Sequence, residues 1–255
     1  AASYDASNQA NPTLCAMRRR AMARLCAQVV PGAQVLELGC GPGTDSHVLV
    51  RAGYLVTAID WSPAMVDRAR RQMGGEMAQA RFIVQQLGIH ELDSLAPSVF
   101  DAAFSNFGPL NCVPDLADAA RQIARRLRTG GLLVASMVGR YCPWEVALYA
   151  ARGDWTRALV RLRHGFVPVP LAGGTVWTRY YTPAECGAAF ASAGMTVVDV
   201  RSLGLFAPPP YLEGVATRHP RLVSALQRLD DRVGAWPGFR QAGDHFLVTL
   251  RKDDR

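Results

Sequence analysis

The residues best suited to chemistry form a short glycine-rich segment early in the chain. Glu37 and Leu38 end an apolar run and are followed by Gly39, Gly41 and Gly43, with one residue between successive glycines. Glycine has no Cβ, so this segment can turn tightly and its backbone can approach a bound molecule closely. A helical pattern begins directly afterwards, and a helix N-terminus adds unpaired N–H groups at the same place. The segment therefore predicts a binding loop for a small molecule.

The spacing of these glycines distinguishes the loop from a turn that binds a dinucleotide. A turn that binds the pyrophosphate of a dinucleotide has the pattern G-x-G-x-x-G, with its third glycine one residue later than in this chain. The pattern here is G-x-G-x-G, with an acid two residues before the first glycine. A nicotinamide-dependent oxidoreductase, which uses the same sheet architecture, is therefore kept as the less favoured alternative.

A second acid lies where the next predicted strand ends. Asp60 closes the run 55–60, 21 residues after Gly39, and Trp61 follows it. In a doubly wound sheet a carboxylate at this place accepts hydrogen bonds from ribose hydroxyls. An aromatic side chain beside it is suited to lie against an adenine face. We assign Asp60 to ligand binding and Ser62 to the N-cap of the following helix.

Together these segments resemble the class I S-adenosylmethionine-dependent methyltransferases. The resemblance is carried by residues 37–43, 59–65 and 100–106, and by Leu-Arg-Thr-Gly-Gly at 127–131, where that family usually has Leu-Arg-Pro-Gly-Gly. It covers residues 30–138 well, and residues 182–202 and 244–252 by pattern only. It implies S-adenosylmethionine as the cofactor, with its methionine part in the glycine loop, its ribose on Asp60 and its adenine beside Trp61.

The resemblance implies a set of cofactor contacts in the core of the chain. These are Glu37, Gly39, Cys40, Gly41, Gly43, Asp60, Trp61, Met65, Gly88, Ile89 and Asn106. One departure concerns the loop after the third strand, where the family usually has an acid that holds the adenine amino group. Gly88 stands at that place, so backbone groups of Gly88 and Ile89, or the Gln86 side chain, are expected to replace the acid.

The elements that position these residues follow from alternating β-rich and helical patterns. Strands are predicted at 34–38, 55–60, 82–86, 102–105, 132–137, 196–202 and 245–250, and helices at 14–30, 45–52, 63–72, 114–127, 183–193 and 222–233. Gly130 and Gly131 are expected to stop the helix before the fifth strand. The alternation predicts an α/β fold with a doubly wound, mostly parallel sheet. The resemblance implies seven strands, with the last one antiparallel.

We expect a single methyltransferase domain over residues 1–255. It would comprise a helical lead-in (1–30), the cofactor-binding core (31–139), a lid insertion (140–181), further core (182–203), a second lid insertion (204–243) and the last strand (244–255). Both insertions leave strands at the carboxyl edge of the sheet, where ligands of such sheets bind. They are therefore expected to cover the substrate. The first is predicted to hold a helical segment and then a Pro/Gly-rich loop.

Candidate catalytic residues follow from the chemistry of methyl transfer. Displacement at a sulfonium needs alignment and exclusion of water, and it needs a general base only when the nucleophile carries a proton. His245 begins the last strand beside Asp244, and we predict it and Asn111 as catalytic. A strand-initiating histidine held by a loop carbonyl is the equally weighted alternative for His245. Residues Tyr4, Phe107, Tyr141, Trp144 and Tyr211 are predicted to contact a substrate with an apolar or aromatic portion. No metal site is predicted.

An arginine-rich segment of the first insertion has two interpretations. Arg157, Arg161 and His164 would share one face of a continuous helix. Such a face could bind a phosphate or carboxylate of the substrate, because arginine suits bidentate recognition. A solvated helix face is the interpretation we prefer.

The composition bounds the remaining possibilities. The net charge of +7 comes from arginines scattered along the chain, with Lys252 as the only lysine, so it does not indicate a nucleic-acid surface. No apolar run is long enough for a membrane helix, no secretory signal is visible, and the six cysteines form no C-x-x-C pair. We expect a cytoplasmic monomer or homodimer that acts on a small molecule. A cofactor-binding partner protein without catalysis and an RNA methyltransferase are less favoured functions for the same fold.

Overall fold

The computed structural model describes residues 11–74, 80–171 and 174–254. The strands are β1 (Gln34–Leu38), β2 (Leu55–Asp60), β3 (Phe82–Gln86), β4 (Phe100–Ser105), β5 (Leu127–Val138), β6 (Val167–Leu171), β7 (Gly174–Thr178), β8 (Met195–Leu203) and β9 (His245–Lys252). The α-helices are α1 (Pro12–Cys26), α2 (Thr44–Arg51), α3 (Pro63–Gln72), α4 (Leu116–Arg126), α5 (Pro143–Ala150), α6 (Trp155–Ala158), α7 (Pro183–Ala191), α8 (Glu213–Arg218) and α9 (Pro220–Val233).

Seven strands form one sheet in the order β3-β2-β1-β4-β5-β9-β8. The strands β1 to β5 pair in parallel, and β9 runs antiparallel to both of its neighbours. The predicted α/β fold with an antiparallel last strand is confirmed. The chain order reverses between β1 and β4, and ligands of open α/β sheets bind in the crevice at such a switch point.

The sheet is buried on both faces, as parallel sheets usually are. On one face Leu36 belongs to a core cluster that includes Phe190 of α7. On the other face Val35 belongs to a cluster that includes Leu25 of α1. Alternate residues of β1 therefore pack against the helices on opposite faces of the sheet. This packing fixes the register of β1, and with it the direction in which the chain enters the glycine loop.

The helix before β5 ends earlier than predicted. The helix α4 stops at Arg126, and Gly130 and Gly131 lie inside β5. Gly130 has a φ of +71°, and a Cβ on Gly131 would lie 2.8 Å from the Arg128 carbonyl oxygen. These glycines therefore permit an irregular start of the strand, and the expectation that they stop a helix was wrong.

The first insertion differs from its prediction in two ways. Its Pro/Gly-rich part is an antiparallel hairpin of β6 and β7, in which prolines are tolerated because neither strand is enclosed by two partners. Its helical part is broken, because α6 ends at Ala158 and a short 3₁₀ turn, Val160–Leu162, follows. Arg161 is consequently buried while Arg157 and His164 are exposed. The three side chains do not share a face.

Two properties of the whole chain complete the description. None of the six cysteines forms a disulfide, and three of them are buried. Among the described residues, no helix combines the length and the apolar character needed to cross a bilayer. The polypeptide therefore relies on its packed layers, without disulfide cross-links, to hold the loops at the carboxyl edge of the sheet.

Candidate functional site

The glycine loop leaves β1 at the carboxyl edge of the sheet. Gly39, Gly41 and Gly43 all have positive φ, of +72°, +54° and +85°. A Cβ on Gly39 would lie 2.5 Å from the Pro109 ring, so the loop after β4 packs directly on this glycine. A Cβ on Gly41 would meet nothing within 4 Å. The middle of the loop therefore faces open space that a ligand can enter.

Asp60 holds the glycine loop in place from the end of β2. Its Oδ2 accepts a hydrogen bond from the Gly41 N–H (2.8 Å) and its Oδ1 accepts one from the Ser62 N–H (2.9 Å). Burial raises the pKa of Asp60, and these two bonds act against that rise. Each carboxylate oxygen keeps a lone pair for a ribose hydroxyl. The indole of Trp61 beside it is 74% exposed. Ser62 stands at the N-cap of α3 as predicted, but its side chain makes no capping bond.

Glu37 lies beneath the loop as a buried acid. The Ser46 hydroxyl of α2 donates a hydrogen bond to Glu37 Oε2. Burial, followed by the repulsion of nearby Asp45, raises the pKa of Glu37 to about 8, although Ser46 and Arg18 oppose the rise. The side chain is therefore largely protonated at neutral pH. A cation arriving next to it would favour the ionised form.

Arg18 of α1 is a site residue that the sequence analysis missed. Its Nη1 lies 2.6 Å from Asp45 Oδ1, and its guanidinium carbon lies 5.0 Å from the centre of the Phe107 ring. Asn106 donates to the other oxygen of Asp45 (3.1 Å), so Asp45 joins α1 to the end of β4. Arg18 is one of three consecutive arginines, and nothing local in the sequence separates it from Arg19.

Phe107 connects the cofactor side of the site with the last strand. It has a φ of +62°, an uncommon conformation for a residue other than glycine. Its N–H donates to the Ser136 hydroxyl (2.7 Å), which itself donates to Asn106 Oδ1 (2.7 Å). These bonds hold the strained turn, and they place the Phe107 ring edge-on to the His245 ring at a centre-to-centre distance of 5.9 Å.

His245 and Asp244 form a hydrogen-bonded pair at the start of β9. The His245 Nδ1 lies 2.9 Å from Asp244 Oδ2. Burial alone would raise the pKa of Asp244, but Arg161 and then His245 outweigh it and hold that pKa well below its usual range. An ionised carboxylate only accepts hydrogen bonds, so Nδ1 must carry the proton. In the neutral imidazole the Nε2 then has the free lone pair that a general base requires.

Asn111 has a structural role, and the prediction of a catalytic one is corrected. Its side chain is fully buried. Its Nδ2 donates to the carbonyl oxygens of Val138 (3.0 Å) and Arg179 (2.8 Å), and its Oδ1 accepts from the Val138 N–H (2.9 Å). Both amide protons and the amide oxygen of Asn111 are therefore hydrogen-bonded to backbone groups. The residue joins the end of β5 to the segment that precedes α7.

The loop after β3 leaves fewer of the predicted groups available to contact adenine. The Gly88 N–H donates to Glu91 Oε2 (2.9 Å), and the Gly88 carbonyl accepts from the Glu91 N–H (3.0 Å). Because its N–H is engaged, Gly88 cannot donate to adenine. Ile89, which is buried, and Gln86 at the end of β3 stay as the predicted contacts.

Two further predicted cofactor contacts lie close to the glycine loop. Cys40 is buried inside the loop, and burial, followed by the charges of Glu37 and Asp60, raises the pKa of its thiol. Met65 is half-buried on α3. Neither observation tests cofactor binding, so both residues stay predictions.

The two insertions and α1 meet at the active edge. The Trp144 indole N–H of α5 donates to the Phe206 carbonyl of the second insertion (3.0 Å). The Tyr211 hydroxyl of the second insertion reaches Glu145 Oε2 (3.4 Å). Asn11 at the start of α1 donates to the Pro210 carbonyl (2.7 Å). These contacts support the expectation that the insertions cover the site.

The residues predicted to contact the substrate differ in their solvent exposure and in their neighbours. Tyr141 and Tyr211 are 45% and 48% exposed, and Trp144 is half-buried between the insertions. Phe107 lies between Arg18 and His245. Tyr4 lies outside the described residues.

A group of potential metal ligands among the described residues is an ion-pair network. Single ligand atoms of Cys142, Glu145 and Asp244 lie within 4.8 Å of one another. The Arg161 Nη2 lies 2.6 Å from Glu145 Oε2 and 2.7 Å from Asp244 Oδ1, which places a guanidinium where a metal ion would bind. Burial, and then Asp244, raises the pKa of Cys142 to about 12, so its thiol stays protonated.

Comparison with known proteins agrees with this geometry. Residues 35–131 match the family model described as a methyltransferase domain. The chain is 34% identical over 131 residues to a ubiquinone biosynthesis O-methyltransferase of Xanthomonas campestris pv. campestris, which is 51% of this chain and 53% of that protein. It is 32% identical over 173 residues to the one of Xylella fastidiosa, or 68% and 64% of the two chains. The chain thus spans about half to two thirds of the length of these curated relatives.

The structural comparison concerns the fold alone. An S-adenosylmethionine-dependent methyltransferase from Mesorhizobium loti superposes with a TM-score of 0.60 and 21% identity, over 93% of this chain and 98% of that one. With the glycine loop, the acid after β2 and the sheet order already described, residues 35–131 form a methyltransferase domain, and the chain has the fold of the S-adenosylmethionine-dependent methyltransferases.

We expect Asn111→Ala to lower the stability of the protein. The change removes the side-chain partner of the Val138 N–H and of two carbonyl groups. Because all three groups are only partly buried, water can replace part of what is lost, and the free energy of unfolding should fall by about 1–3 kcal/mol. Urea unfolding followed by circular dichroism measures this. A variant with wild-type stability but no turnover would contradict the structural role.

Glu37 should make stability depend on pH. Its folded-state pKa of about 8 lies above the ordinary value of 4.5, so its contribution to stability is fully present below pH 4.5 and is lost as the pH rises through about 8. Glu37→Gln keeps the shape without ionising. We expect the melting temperature of the wild type to fall relative to this variant between about pH 4.5 and 8, and the two curves to run parallel above that range. Curves that run parallel within that range as well would contradict the shifted pKa.

Proposed function

We propose that this protein transfers the methyl group of S-adenosylmethionine to a hydroxyl oxygen of a small molecule with an aromatic portion. The observation that carries the proposal is the His245–Asp244 pair at the active edge, beside Phe107. A hydroxyl nucleophile carries a proton that must leave during transfer, and a histidine with a free Nε2 is suited to take it. An acceptor without such a proton would have no need of this pair.

The cofactor residues follow from the loop geometry. S-adenosylmethionine supplies an electrophilic methyl group on a sulfonium. The open space at Gly41 fits its methionine part, Asp60 has lone pairs for the ribose hydroxyls, and the exposed Trp61 indole fits one face of adenine. We assign the buried Glu37 carboxyl group to the cationic end of the methionine part, whose charge would favour the ionised carboxylate. Arg18, paired with Asp45, offers a guanidinium for the α-carboxylate of the same part.

The substrate side is built from aromatic side chains of three segments. Phe107 follows β4, Tyr141 and Trp144 open the first insertion, and Tyr211 belongs to the second. Aromatic walls suit a flat, apolar acceptor, because they bury much of its surface and stack on its ring. The relatives are named as O-methyltransferases of ubiquinone biosynthesis, which supports an oxygen atom as the acceptor. A phenol is therefore the acceptor class we propose.

The setting of the reaction is also proposed. Six cysteines without a disulfide fit a cytoplasmic protein, and scattered arginines fit a partner that is a small molecule rather than a nucleic acid. A monomer or homodimer would suffice, because one chain carries the glycine loop, the histidine pair and both insertions. A cofactor-binding protein without catalysis is the competing function, and it would bind S-adenosylmethionine without turnover.

Binding of S-adenosylmethionine should release protons at neutral pH. The positive charges of the cofactor favour the ionised form of Glu37, whose pKa is about 8 in the free protein. Calorimetric titration at pH 7 in buffers with different ionisation enthalpies measures the release directly. We expect up to about one proton per cofactor, and Glu37→Gln should abolish it. Heats that do not depend on the buffer would exclude Glu37 from the cofactor site.

His245→Gln should abolish turnover and leave cofactor affinity unchanged. Loss of a general base lowers kcat by about 10²–10⁴-fold, whereas the glycine loop is untouched. The assay follows transfer of a radioactive methyl group from S-adenosylmethionine to catechol, and calorimetry measures affinity. His164→Gln, on an exposed residue of the first insertion, is the matched control. Wild-type turnover in His245→Gln would refute the base. Binding of the cofactor without transfer in the wild type would favour the non-catalytic function.

A further inference from the structure

Arg161 lies in the first insertion, yet its side chain reaches the start of the last strand. Its Nε donates to Glu145 Oε2 (2.8 Å) and its Nη2 to Asp244 Oδ1 (2.7 Å). Its Nη1 donates to the carbonyl oxygens of Asp244 (2.9 Å) and Gly139 (3.2 Å). A guanidinium can serve these partners together because its donors form a rigid planar fork.

These bonds hold the Asp244 carboxylate in place, and Asp244 in turn orients His245, the proposed general base. Arg161 occupies one oxygen of Asp244, so only Oδ2 remains for the Nδ1 of His245. With both oxygens bound on different sides, the carboxylate cannot rotate. The two backbone bonds also hold the start of β9, from which the imidazole projects.

We propose that Arg161 is a positioning residue, which through Asp244 sets the tautomer and orientation of His245. The assignment rests on the proposed function, in which His245 is the general base. The contact between Arg161 and Asp244 makes the first insertion part of the catalytic machinery: the base is correctly set only while that insertion is docked. Glu145, which also meets Tyr211 of the second insertion, anchors the other side of the guanidinium.

The charged groups around Arg161 are consistent with its proposed positioning role. Groups that face it or its partners are Glu145, Asp244, His245, Cys142, Tyr180 and Tyr211. The Tyr180 ring lies 5.3 Å from the guanidinium carbon. With His245 neutral, the group has one cation and two anions, so a proton arriving on His245 makes it neutral overall. Removing Arg161 alone would leave two buried anions, which is strongly unfavourable.

The first experiment measures the tautomer directly and needs no substrate. Long-range ¹⁵N–¹H spectra of protein with labelled histidine report which ring nitrogen carries the proton, and His245→Gln assigns the signal among the five histidines. We expect the proton on Nδ1 in the wild type. The double variant Glu145→Gln/Arg161→Gln removes one cation and one anion, so the net buried charge is unchanged and folding is expected. In it Asp244 has lost the bond that fixes its orientation and can turn away from His245, so the proton should redistribute between Nδ1 and Nε2.

Three further variants make this test specific. Arg161→Lys keeps the charge but not the fork, and it should give a mixture of tautomers. Glu145→Gln alone keeps the bond between Arg161 and Asp244, and it should retain the Nδ1 proton. Arg163→Gln, on an exposed arginine of the same segment, is the matched control. A proton that stays on Nδ1 in the folded double variant would overturn the proposal.

A kinetic experiment separates positioning from a merely structural tie. With catechol as acceptor, Arg161→Lys should lose about 10–100-fold in kcat, while KM for S-adenosylmethionine stays unchanged. With nitrocatechol, whose hydroxyls are more acidic, the loss should shrink, because less help from a base is needed. An equal loss with both acceptors would overturn the positioning role. Absence of wild-type turnover with both would instead refute the proposed phenol acceptor, and the tautomer experiment would still decide the role of Arg161.

Discussion

The site depends on how its buried acids are compensated, because an unpaired carboxylate is unstable away from water. Glu37, Asp60 and Asp244 are acids at the carboxyl edge of the sheet, and each is compensated differently. Glu37 has a raised pKa and is neutral at pH 7. Asp60 is bound by two backbone N–H groups. Asp244 is paired with Arg161 and His245. In the proposed function the same acidic group thus serves as a proton-sensitive contact, a ribose acceptor and an anchor for a base.

The compensation of Asp244 also explains how the insertions relate to the core. Arg161 belongs to an insertion whose hairpin and helices are partly exposed, and its buried guanidinium bonds to Asp244 beside the start of β9. Trp144 and Tyr211 join the two insertions to each other, and Asn11 joins α1 to the second. The two insertions and α1 are therefore joined by polar contacts that lie around a buried ion pair.

Much of the fold was predictable from local sequence pattern. The bounds of β1, β2, β3 and α3 agree with the predicted ranges, because alternating apolar residues and a proline at a helix start are local signals. The hairpin of β6 and β7 was missed because its prolines and glycines are equally typical of a loop. Arg161 and Asn111 were misassigned for a different reason. Their partners lie up to 83 and 68 residues away in the chain, and no local pattern reports such contacts.

The difference between predictable and unpredictable residues corresponds to the two sides of the site, one proposed for the cofactor and the other for the acceptor. The proposed cofactor side uses backbone groups and glycines of consecutive segments, so its chemistry is visible in the sequence as a spacing. The proposed acceptor side uses side chains from α1, the loop after β4, both insertions and β9, which meet only in the folded protein. A change in an insertion can therefore alter the acceptor without disturbing the glycine loop, provided that a cation still reaches Asp244. Without that cation the two remaining anions would have to be protonated or exposed, and the histidine would lose its fixed partner.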